Sequence, residues 1–387
     1  MKRIAINIGS GFVPGLDAVV TGAALAAQTA GCELVGIRDG YDGLLVPEHY
    51  PDGGLVTLSP ALADGPGRLV SVLGTAARND PFHVRTVSED GAVEEVDRSD
   101  ALLKALDQAG IEAVISVVGG SAITGLHALS VAFKLHRKGL RTVCVPKSVE
   151  NDIASVPLAF GYNSVLSCVG EHLARIRAGA LDAGHIAVVE VPGQHAGWLA
   201  LQAGMAALAD GVLIPELPYD IARLAAALDA REQAGRHPAL VVVAEGARLR
   251  DAAPAAVGTV DAMRASLAPN ADPAYGGGAH VIDRSGATAQ AVAAALGRLG
   301  GRDTLPIVLG LLARTGMATQ VDRQLGLAYG AAAVRTLLSG GDGVMLAFDP
   351  PEVRGIPMRE ALSRVRAVPA RSELVQVARA LGIFLGD

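Results

Sequence analysis

The stretch Val145-Pro-Lys-Ser-Val-Glu-Asn-Asp152 decides the fold and the candidate site of this 387-residue chain. It continues a strongly apolar run, Arg141-Thr-Val-Cys-Val145, which is typical of a buried β-strand. A lysine, a serine and two carboxylates therefore stand directly after a strand. Open α/β sheets hold their ligands at this carboxyl edge. The stretch thus predicts an α/β fold with a ligand site at its centre.

The rest of the chain repeats this alternation of short β-branched runs and Ala/Leu-rich segments with helical periodicity. Strands are predicted at 3–8, 34–37, 113–118, 142–145, 186–191, 211–214, 240–244, 307–309 and 343–347. Helices between them include 16–30, 99–109, 125–138 and 164–178. Strands alternating with helices indicate βαβ units. We expect two Rossmann-like three-layer domains with mostly parallel sheets and an active site in the cleft between them.

Composition excludes several classes of partner. The formal net charge is −6, and the lysines and arginines are scattered, whereas a nucleic-acid-binding face needs clustered basic residues. Every apolar stretch is too short to span a membrane. Cys32, Cys144 and Cys168 lie in apolar settings without paired spacing, which is typical of core residues in a reducing compartment. Met1-Lys-Arg leads straight into a strand without a signal peptide. We expect a cytoplasmic protein with a small-molecule substrate, no nucleic acid and no membrane partner.

Two glycine-rich turns lie between a predicted strand and a helix. They are Ile8-Gly-Ser-Gly-Phe-Val-Pro-Gly15 and Val117-Val-Gly-Gly-Ser-Ala-Ile-Thr-Gly125. Glycine lets backbone N–H groups approach an anion at a helix N-terminus. The candidate anion-binding residues are Ser10, Gly11, Gly119, Gly120 and Ser121. Many strand-to-helix turns are rich in glycine for steric reasons alone, so a plain turn is the alternative.

Together these segments resemble the 6-phosphofructokinase family. The opening stretch is similar to the family's Pro-Lys-Thr-Ile-Asp-Asn-Asp signature, and Gly11-Phe-Val-Pro-Gly-Leu-Asp-Ala18 to its Gly-Gly-x-x-Pro-Gly-x-Asn-Ala. Val189-Glu-Val-Pro-Gly-Gln-His-Ala-Gly-Trp-Leu-Ala200 is similar to Val-Glu-Val-Met-Gly-Arg-x-x-Gly-Trp-Leu-Ala. The resemblance covers nearly the whole chain. It implies phosphoryl transfer from ATP or pyrophosphate with Mg²⁺.

The resemblance implies roles for four residues around the donor. Glu150 stands at the position of the family's aspartate base and is one methylene longer. Lys147 matches a lysine of pyrophosphate-dependent and some ATP-dependent members. Arg78, in Leu73-Gly-Thr-Ala-Ala-Arg78, matches the arginine that contacts the nucleotide phosphates. Asp152 is the candidate metal-side carboxylate. The alternative is a solvated loop whose lysine and carboxylates only pair with one another.

The implied acceptor site consists of Ser148, Gly193, Gln194, Glu245, Arg314 and His185. Four cationic positions of the family are changed, since Gln194, Leu305 and His185 stand where it has arginines and Leu311 where it has histidine. Because a phosphate dianion is held by several charge-assisted bonds, an acceptor other than fructose 6-phosphate is expected. His195 stays open as a ligand, and Trp198 is interpreted as a core residue.

The family's second glycine loop reads Gly-Gly-Asp-Gly-Ser or Gly-Gly-Asp-Asp-Ser, and its aspartate helps to hold magnesium. Ser121-Ala122 lacks that carboxylate. A catalytically degenerate member that binds a metabolite or regulates is therefore the alternative to a retuned kinase. An ordinary glycolytic 6-phosphofructokinase is the least favoured interpretation.

The resemblance also predicts the domain division and the assembly. The donor-binding domain would comprise 1–161 with about 312–360, and the acceptor-binding domain 162–311 with about 361–387. Because the family's sites are completed across subunits, a homodimer or homotetramer is expected. The irregular segment 250–286, rich in Ala, Pro, Gly and Asp, is predicted to be a surface insertion or mobile loop.

Overall fold

The computed structural model describes residues 1–9, 11–59, 73–75, 80–87, 93–119, 128–250 and 286–386. The described strands form two sheets and one separate hairpin. In spatial order, the large sheet contains β13 (Glu352–Pro357), β12 (Val344–Asp349), β7 (Thr142–Pro146), β6 (Ala113–Val118), β1 (Arg3–Ile8), β2 (Glu33–Ile37) and β3 (Leu55–Thr57). The small sheet contains β11 (Thr304–Val308), β8 (Ile186–Val191), β10 (Leu240–Ala244) and β9 (Gly211–Leu213). The hairpin joins β4 (Val84–Val87) to β5 (Val93–Val96).

Helices alternate with these strands along the chain. The described helices are α1 (Leu16–Thr29), α2 (Asp42–Leu45), α3 (Ser99–Gln108), α4 (Ala128–Arg137), α5 (Tyr162–Ala183), α6 (Trp198–Ala206), α7 (Ile221–Gln233), α8 (Ala287–Gly300), α9 (Gln320–Leu338), α10 (Met358–Ala361) and α11 (Glu373–Ala380). Short 3₁₀ turns occupy Pro47–His49 and Gly310–Arg314. Within the described part of the chain, no helix combines the length and the apolar character that a bilayer crossing requires.

The predicted α/β class with two mostly parallel sheets is confirmed. Both central strands β6 and β8 are buried along their whole length, as parallel strands covered on both faces by helices are. The small sheet is parallel throughout, and the large sheet is antiparallel only where β3 and β13 form its edges. The strands of each sheet fall within the ranges expected for one domain, and the boundaries themselves stay a prediction.

The strands that the sequence pattern missed lie at edges. They are β3, the hairpin strands β4 and β5, and β13. In β13, Glu352-Val-Arg-Gly-Ile-Pro357 mixes charged and apolar residues, and most of its side chains are exposed. An edge strand is covered on fewer sides than a central one, so its sequence carries a weaker apolar signal. The predicted insertion at 250–286 lies, apart from its two end residues, outside the described residues.

Helices α1 and α9 pack unusually closely because each has a glycine at the contact. A Cβ atom on Gly330 would lie 2.0 Å from the carbonyl oxygen of Val19, and one on Gly22 would lie 2.3 Å from that of Leu327. Both distances are far below van der Waals contact, and the atoms met are backbone atoms. Only glycine fits at these positions without moving the helices apart.

We therefore expect Gly330→Ala to destabilise the fold by about 1–3 kcal/mol, since the overpacking outweighs alanine's better helix propensity. The matched control is Gly170→Ala in α5, where an added Cβ meets nothing within 4 Å. That change should stabilise by about 0.5–1 kcal/mol. Chemical denaturation of the two variants measures the difference. Equal stabilities would contradict the close helix contact.

Candidate active site

The glycine turns and Lys147 converge because their strands are neighbours in the large sheet. β7, β6 and β1 are adjacent and parallel, so their carboxyl ends meet at one edge. The backbone N–H of Lys147 donates to Val118 O at 2.9 Å, and that of Gly9 donates to Val117 O at 2.9 Å. A Cβ on Gly119 would lie 2.4 Å from the Lys147 carbonyl oxygen. Gly119, at the start of the second glycine turn, therefore packs directly on the backbone of Lys147.

Lys147 points its ammonium group into the first glycine turn. Its Nζ donates to the carbonyl oxygens of Gly9 at 2.5 Å and Gly11 at 2.6 Å, and the residue is 2% exposed. Burial lowers the pKa of Lys147 to about 7, and the positive charge of Arg314 lowers it further in the same direction. An anion bound here would favour the charged lysine.

Ser148 organises the loop that carries the two carboxylates. Its hydroxyl accepts the backbone N–H groups of Glu150 at 3.1 Å and Asn151 at 2.9 Å and donates to Asp152 Oδ1 at 2.8 Å. Asn151 adopts a left-handed backbone with φ of 54°, which asparagine tolerates better than most residues. Ser148, predicted to contact the acceptor, therefore has its proton directed to Asp152.

Glu150 lies where both sheets meet. Part of the residue is open to solvent, yet burial of its carboxyl raises its pKa to about 8, and the negative charges of Asp152 and Glu245 raise it further. Arg314 and a hydrogen bond from the Gln194 backbone act in the opposite direction. The structure thus brings together five of the predicted site residues, three from loops of the small sheet.

The small-sheet loops close against each other at its carboxyl edge. Strands β8 and β10 are neighbours, and the Gly246 N–H donates to Gly193 O at 3.1 Å. A Cβ on Gly246 would lie 2.0 Å from the Gln194 carbonyl oxygen, so glycine is required there. Gln194 itself is exposed. The predicted acceptor residues Gly193, Gln194 and Glu245 therefore lie in two loops that contact each other, and Gln194 is the most exposed of them.

Arg314 connects the two halves of the site. It ends the 3₁₀ turn after β11, and an ideal Cβ on Gly11 would lie 3.7 Å from its Nη1. The same guanidinium lowers the pKa of both Glu150 and Lys147 by its positive charge. An arginine predicted to hold the acceptor thus also reaches the donor-side glycine turn.

His195, which the sequence left open as a ligand, lies close to Asp152 and to Arg248, which the sequence did not single out. The charge of Asp152 raises the pKa of His195, whereas burial, the larger effect, lowers it and Arg248 opposes its protonation as well. Asp152 itself has a raised pKa because of burial, with Ser148 and His195 opposing. Arg248 could have been found from the sequence, because it lies three residues after Glu245 in the loop that follows β10.

Several predicted residues are placed elsewhere or lie outside the described residues. His185 precedes β8, at the opposite end of the strand from Gln194, and its N–H donates to Ala180 O at 3.2 Å. Within one chain it is not brought to this site, so its acceptor role stays a prediction. Ser10, Arg78, Gly120 and Ser121 lie outside the described residues, and their roles stay predictions too.

The described residues hold little that would bind a metal by themselves. Among them, no three His, Cys, Asp or Glu side chains are grouped so that they could ligate one ion. Mg²⁺, however, is usually bound through one or two carboxylates with substrate phosphates and water completing its shell. The buried Asp152 carboxylate, beside the donor-side lysine loop, fits that limited contribution.

An α/β fold with a buried lysine at a glycine turn, and a carboxylate of raised pKa on the same loop, suits an α/β phosphotransferase. The family model described as Phosphofructokinase matches residues 3–337. The chain belongs to the phosphofructokinase family.

Relatives with established names cover the chain from end to end. The ATP-dependent 6-phosphofructokinase of Chloroflexus aggregans is 32% identical over 386 residues, which is 100% of this chain and 98% of that protein. The ATP-dependent 6-phosphofructokinase 2 of Streptomyces coelicolor is 33% identical over 373 residues, covering 95% of this chain and 96% of its own length. These matches confirm the resemblance drawn from the motifs.

Solved structures share the fold at lower identity. Phosphofructokinase from Saccharomyces cerevisiae superposes with a TM-score of 0.72 at 24% identity, over 98% of this chain and 47% of that chain, so this chain spans about half of the yeast chain. The pyrophosphate-dependent phosphofructokinase from Marinobacter aquaeolei gives a TM-score of 0.68 at 17% identity, over 99% and 91% of the two chains. These likenesses confirm the two-domain α/β architecture.

The electrostatics of Glu150 give a direct titration test. Carbon-13 NMR of glutamate carboxyls, assigned with Glu150→Gln, should show Glu150 titrating at about pH 8. Glu245→Gln should lower that pKa, because removing a negative neighbour favours the ionised carboxyl. Glu48→Gln, an exposed glutamate of a 3₁₀ turn, is the control and should leave it unchanged. Titration near the ordinary glutamate value of about 4.3 would contradict the buried site.

Proposed function

We propose that this chain moves a phosphoryl group from ATP or pyrophosphate to a hydroxyl of a small sugar-like acceptor. The observation that carries the proposal is the position of Glu150. Its carboxyl interacts with the Gln194 backbone of the small sheet, while Lys147, three residues earlier, donates to the first glycine turn of the large sheet. One short loop therefore directs a candidate cation to the large-sheet glycine turn and a candidate base to the small-sheet side.

Lys147 is proposed to hold a terminal phosphate of the donor as a point charge, with Arg78 as a second cation. Its Nζ is already directed at the first glycine turn, where backbone N–H groups can also face an anion. Asp152 is proposed to bind Mg²⁺ together with the donor phosphates. When bound, magnesium supplies charge neutralisation over the transferring group.

Glu150 is proposed as the base that accepts the proton of the acceptor hydroxyl. A pKa of about 8 keeps most of it protonated at neutral pH until a cation enters the site. The approach of positive charge then favours the ionised base, close to the operating pH where a general base works best. Because glutamate is one methylene longer than aspartate, the acceptor hydroxyl must lie correspondingly farther from the loop.

For the acceptor, we propose a sugar-like molecule without a phosphate ester. Gln194 is neutral, and Leu305 and Leu311 are apolar and 45% and 69% exposed, at positions where the family resemblance implies cations. The relatives are named 6-phosphofructokinases and give this part no support, so it rests on these side chains alone. Arg314, Glu245 and His195 are the groups proposed to contact the acceptor.

A member without catalysis is the second candidate, and one observation favours it. The carboxyl at the base position is mostly neutral at pH 7 in the protein alone, and Ser121 replaces the family's metal-side aspartate. Such a protein would bind donor or acceptor without turnover. The retained Lys147, Asp152 and Glu245 favour the enzyme.

A homodimer or homotetramer is proposed for the assembly. Strand β11 forms an edge of the small sheet, and large apolar side chains are exposed on it and after it: Leu305, Leu311, Leu312 and Met317. Covering such a surface with a second copy would remove apolar area from water. An assembled state would also allow His185 to serve a neighbouring subunit.

Phosphorus NMR tests the reaction directly. The protein is incubated with Mg²⁺ and either ATP or pyrophosphate, and with fructose 6-phosphate, fructose or sorbitol in separate samples. We expect a phosphate-ester signal with an unphosphorylated acceptor and one of the donors. A fructose bisphosphate signal would contradict the proposed acceptor.

Variants at Glu150 separate a retuned kinase from a protein without catalysis. Glu150→Gln removes the base and should lower the rate by about 10²- to 10⁴-fold. Glu150→Asp shortens the base and should lower it by about a hundredfold, since a shift on the order of 1 Å has that cost. Glu48→Gln is the control. The absence of a phosphate-ester signal in all samples of a folded protein would contradict phosphoryl transfer.

A further inference from the structure

A segment near the C-terminus, residues 365–368, lies against the loop that carries Glu150 and Asp152. Val365 forms an antiparallel bridge with Ile153, and the Arg366 N–H donates to the Asp152 carbonyl oxygen at 2.7 Å. This segment is more than 200 residues away along the chain, since Arg366 and Asn151 are separated by 215 positions. Residues distant in sequence therefore bind the loop 147–152, in addition to the strand and helix on either side of it.

The same segment is anchored to the small-sheet side. The Val368 N–H donates to a Glu216 carboxylate oxygen at 2.7 Å, and the Gly197 N–H, at the start of α6, donates to both oxygens of that carboxylate at 3.0 and 3.1 Å. Glu216 follows β9, whereas Asp152 follows β7. Residues 365–368 thus connect the catalytic loop to the helix that opens after the Gln194 turn.

Arg366 makes this connection with its side chain as well as its backbone. Its Nη1 donates to the Asn151 carbonyl oxygen at 3.1 Å, and its guanidinium carbon lies 4.2 Å from the centroid of the Trp198 ring. The indole Nε1 of Trp198 donates back to the Arg366 carbonyl oxygen at 2.7 Å. Flat stacking on an aromatic ring with simultaneous hydrogen bonding suits the planar guanidinium and not an ammonium group.

These contacts fix the peptide between the two functional carboxylates. Asn151 stands between Glu150 and Asp152, and both its carbonyl oxygen and that of Asp152 accept hydrogen bonds from Arg366. The left-handed backbone of Asn151, with φ of 54°, is an uncommon conformation that its surroundings must hold in place. A rotation of this peptide would redirect both carboxyl groups.

We propose that Arg366 is a positioning residue, stacked on Trp198, that sets the direction of the Glu150 and Asp152 side chains. An effect of Arg366 on reaction rate presupposes the proposed phosphoryl transfer, whereas its effect on the loop does not. Arg366 touches neither reacting group itself. Its effect on chemistry passes through the Asn151–Asp152 peptide.

Trp198 is the only tryptophan of the chain, so its fluorescence reports the stacking without any assay of activity. Arg366→Met removes the charge and the hydrogen bond to Asn151, while Arg366→Lys keeps the charge and loses the planar donor. Both should shift or brighten the Trp198 emission relative to the parent protein. The matched control is Arg364→Met, an exposed arginine of the adjoining chain, which should leave the emission unchanged.

The catalytic consequence is read from kinetics and from the titration of Glu150. Both Arg366 variants should lower kcat by about ten- to a hundredfold with little change in the KM of the donor, because misplacement of the base affects the chemical step. The Glu150 carbon-13 titration should also change in both variants and not in Arg364→Met. If Arg366→Met does not fold, Arg366→Lys is compared with the parent protein and with Arg364→Met instead.

The outcomes distinguish this proposal from the proposed function. If the parent protein shows no turnover with any donor, phosphoryl transfer fails, yet altered Trp198 emission with an altered Glu150 titration would still establish the positioning. Altered emission with unchanged Glu150 titration and unchanged kcat would overturn it and leave Arg366 a structural residue. Emission indistinguishable from that of Arg364→Met would overturn the stacking itself.

Discussion

The rest of the site depends on one constraint, the removal of charged groups from water in the loop 147–152. Lys147 and Asp152 are 2% and 5% exposed, and the Glu150 carboxyl is enclosed although the residue keeps some open surface. Desolvation disfavours the charged form of each group, so the lysine's pKa falls to about 7 and the glutamate's rises to about 8. Without a ligand the loop holds less charge than its sequence suggests. Anionic phosphate and its accompanying cation would restore those charges, which would couple ligand binding to the ionisation of Glu150.

The loop lies between the two sheets because its strand ends beside two others, and because loops from the carboxyl edge of the small sheet contact it. Arg314 reaches from that side towards Gly11, while the Gln194 backbone meets Glu150. Residues 365–368 then hold the loop from behind through Asn151 and Asp152. Three separate parts of the chain, the large-sheet glycine turn, the small-sheet loops and residues 365–368, therefore contact this one short loop.

The sequence was sufficient for the features that depend on local periodicity. Central strands such as β6 and β8 are continuous apolar runs, and the loop after β7 is recognisable from its own residues. The edge strand β13 escaped prediction because one side of it faces solvent and its residues alternate irregularly. Arg366 was missed because its contacts join distant parts of the chain, which no local pattern encodes. Trp198 was interpreted as core, and at 7% exposure it is buried, but its ring also stacks on Arg366.

The most direct test of the central claim is the proton balance of donor binding. Calorimetric titration with imidodiphosphate, a non-hydrolysable pyrophosphate analogue, is run with Mg²⁺ at pH 7.5 in buffers of different ionisation enthalpy. The same titration of Lys147→Met subtracts the protons that the ligand itself exchanges. A lysine whose pKa is about 7 in the free protein should take up a proton as the phosphate binds, so the parent protein should show uptake that the variant lacks. Equal proton balances for the two proteins would contradict a buried, largely neutral Lys147 that the donor recharges.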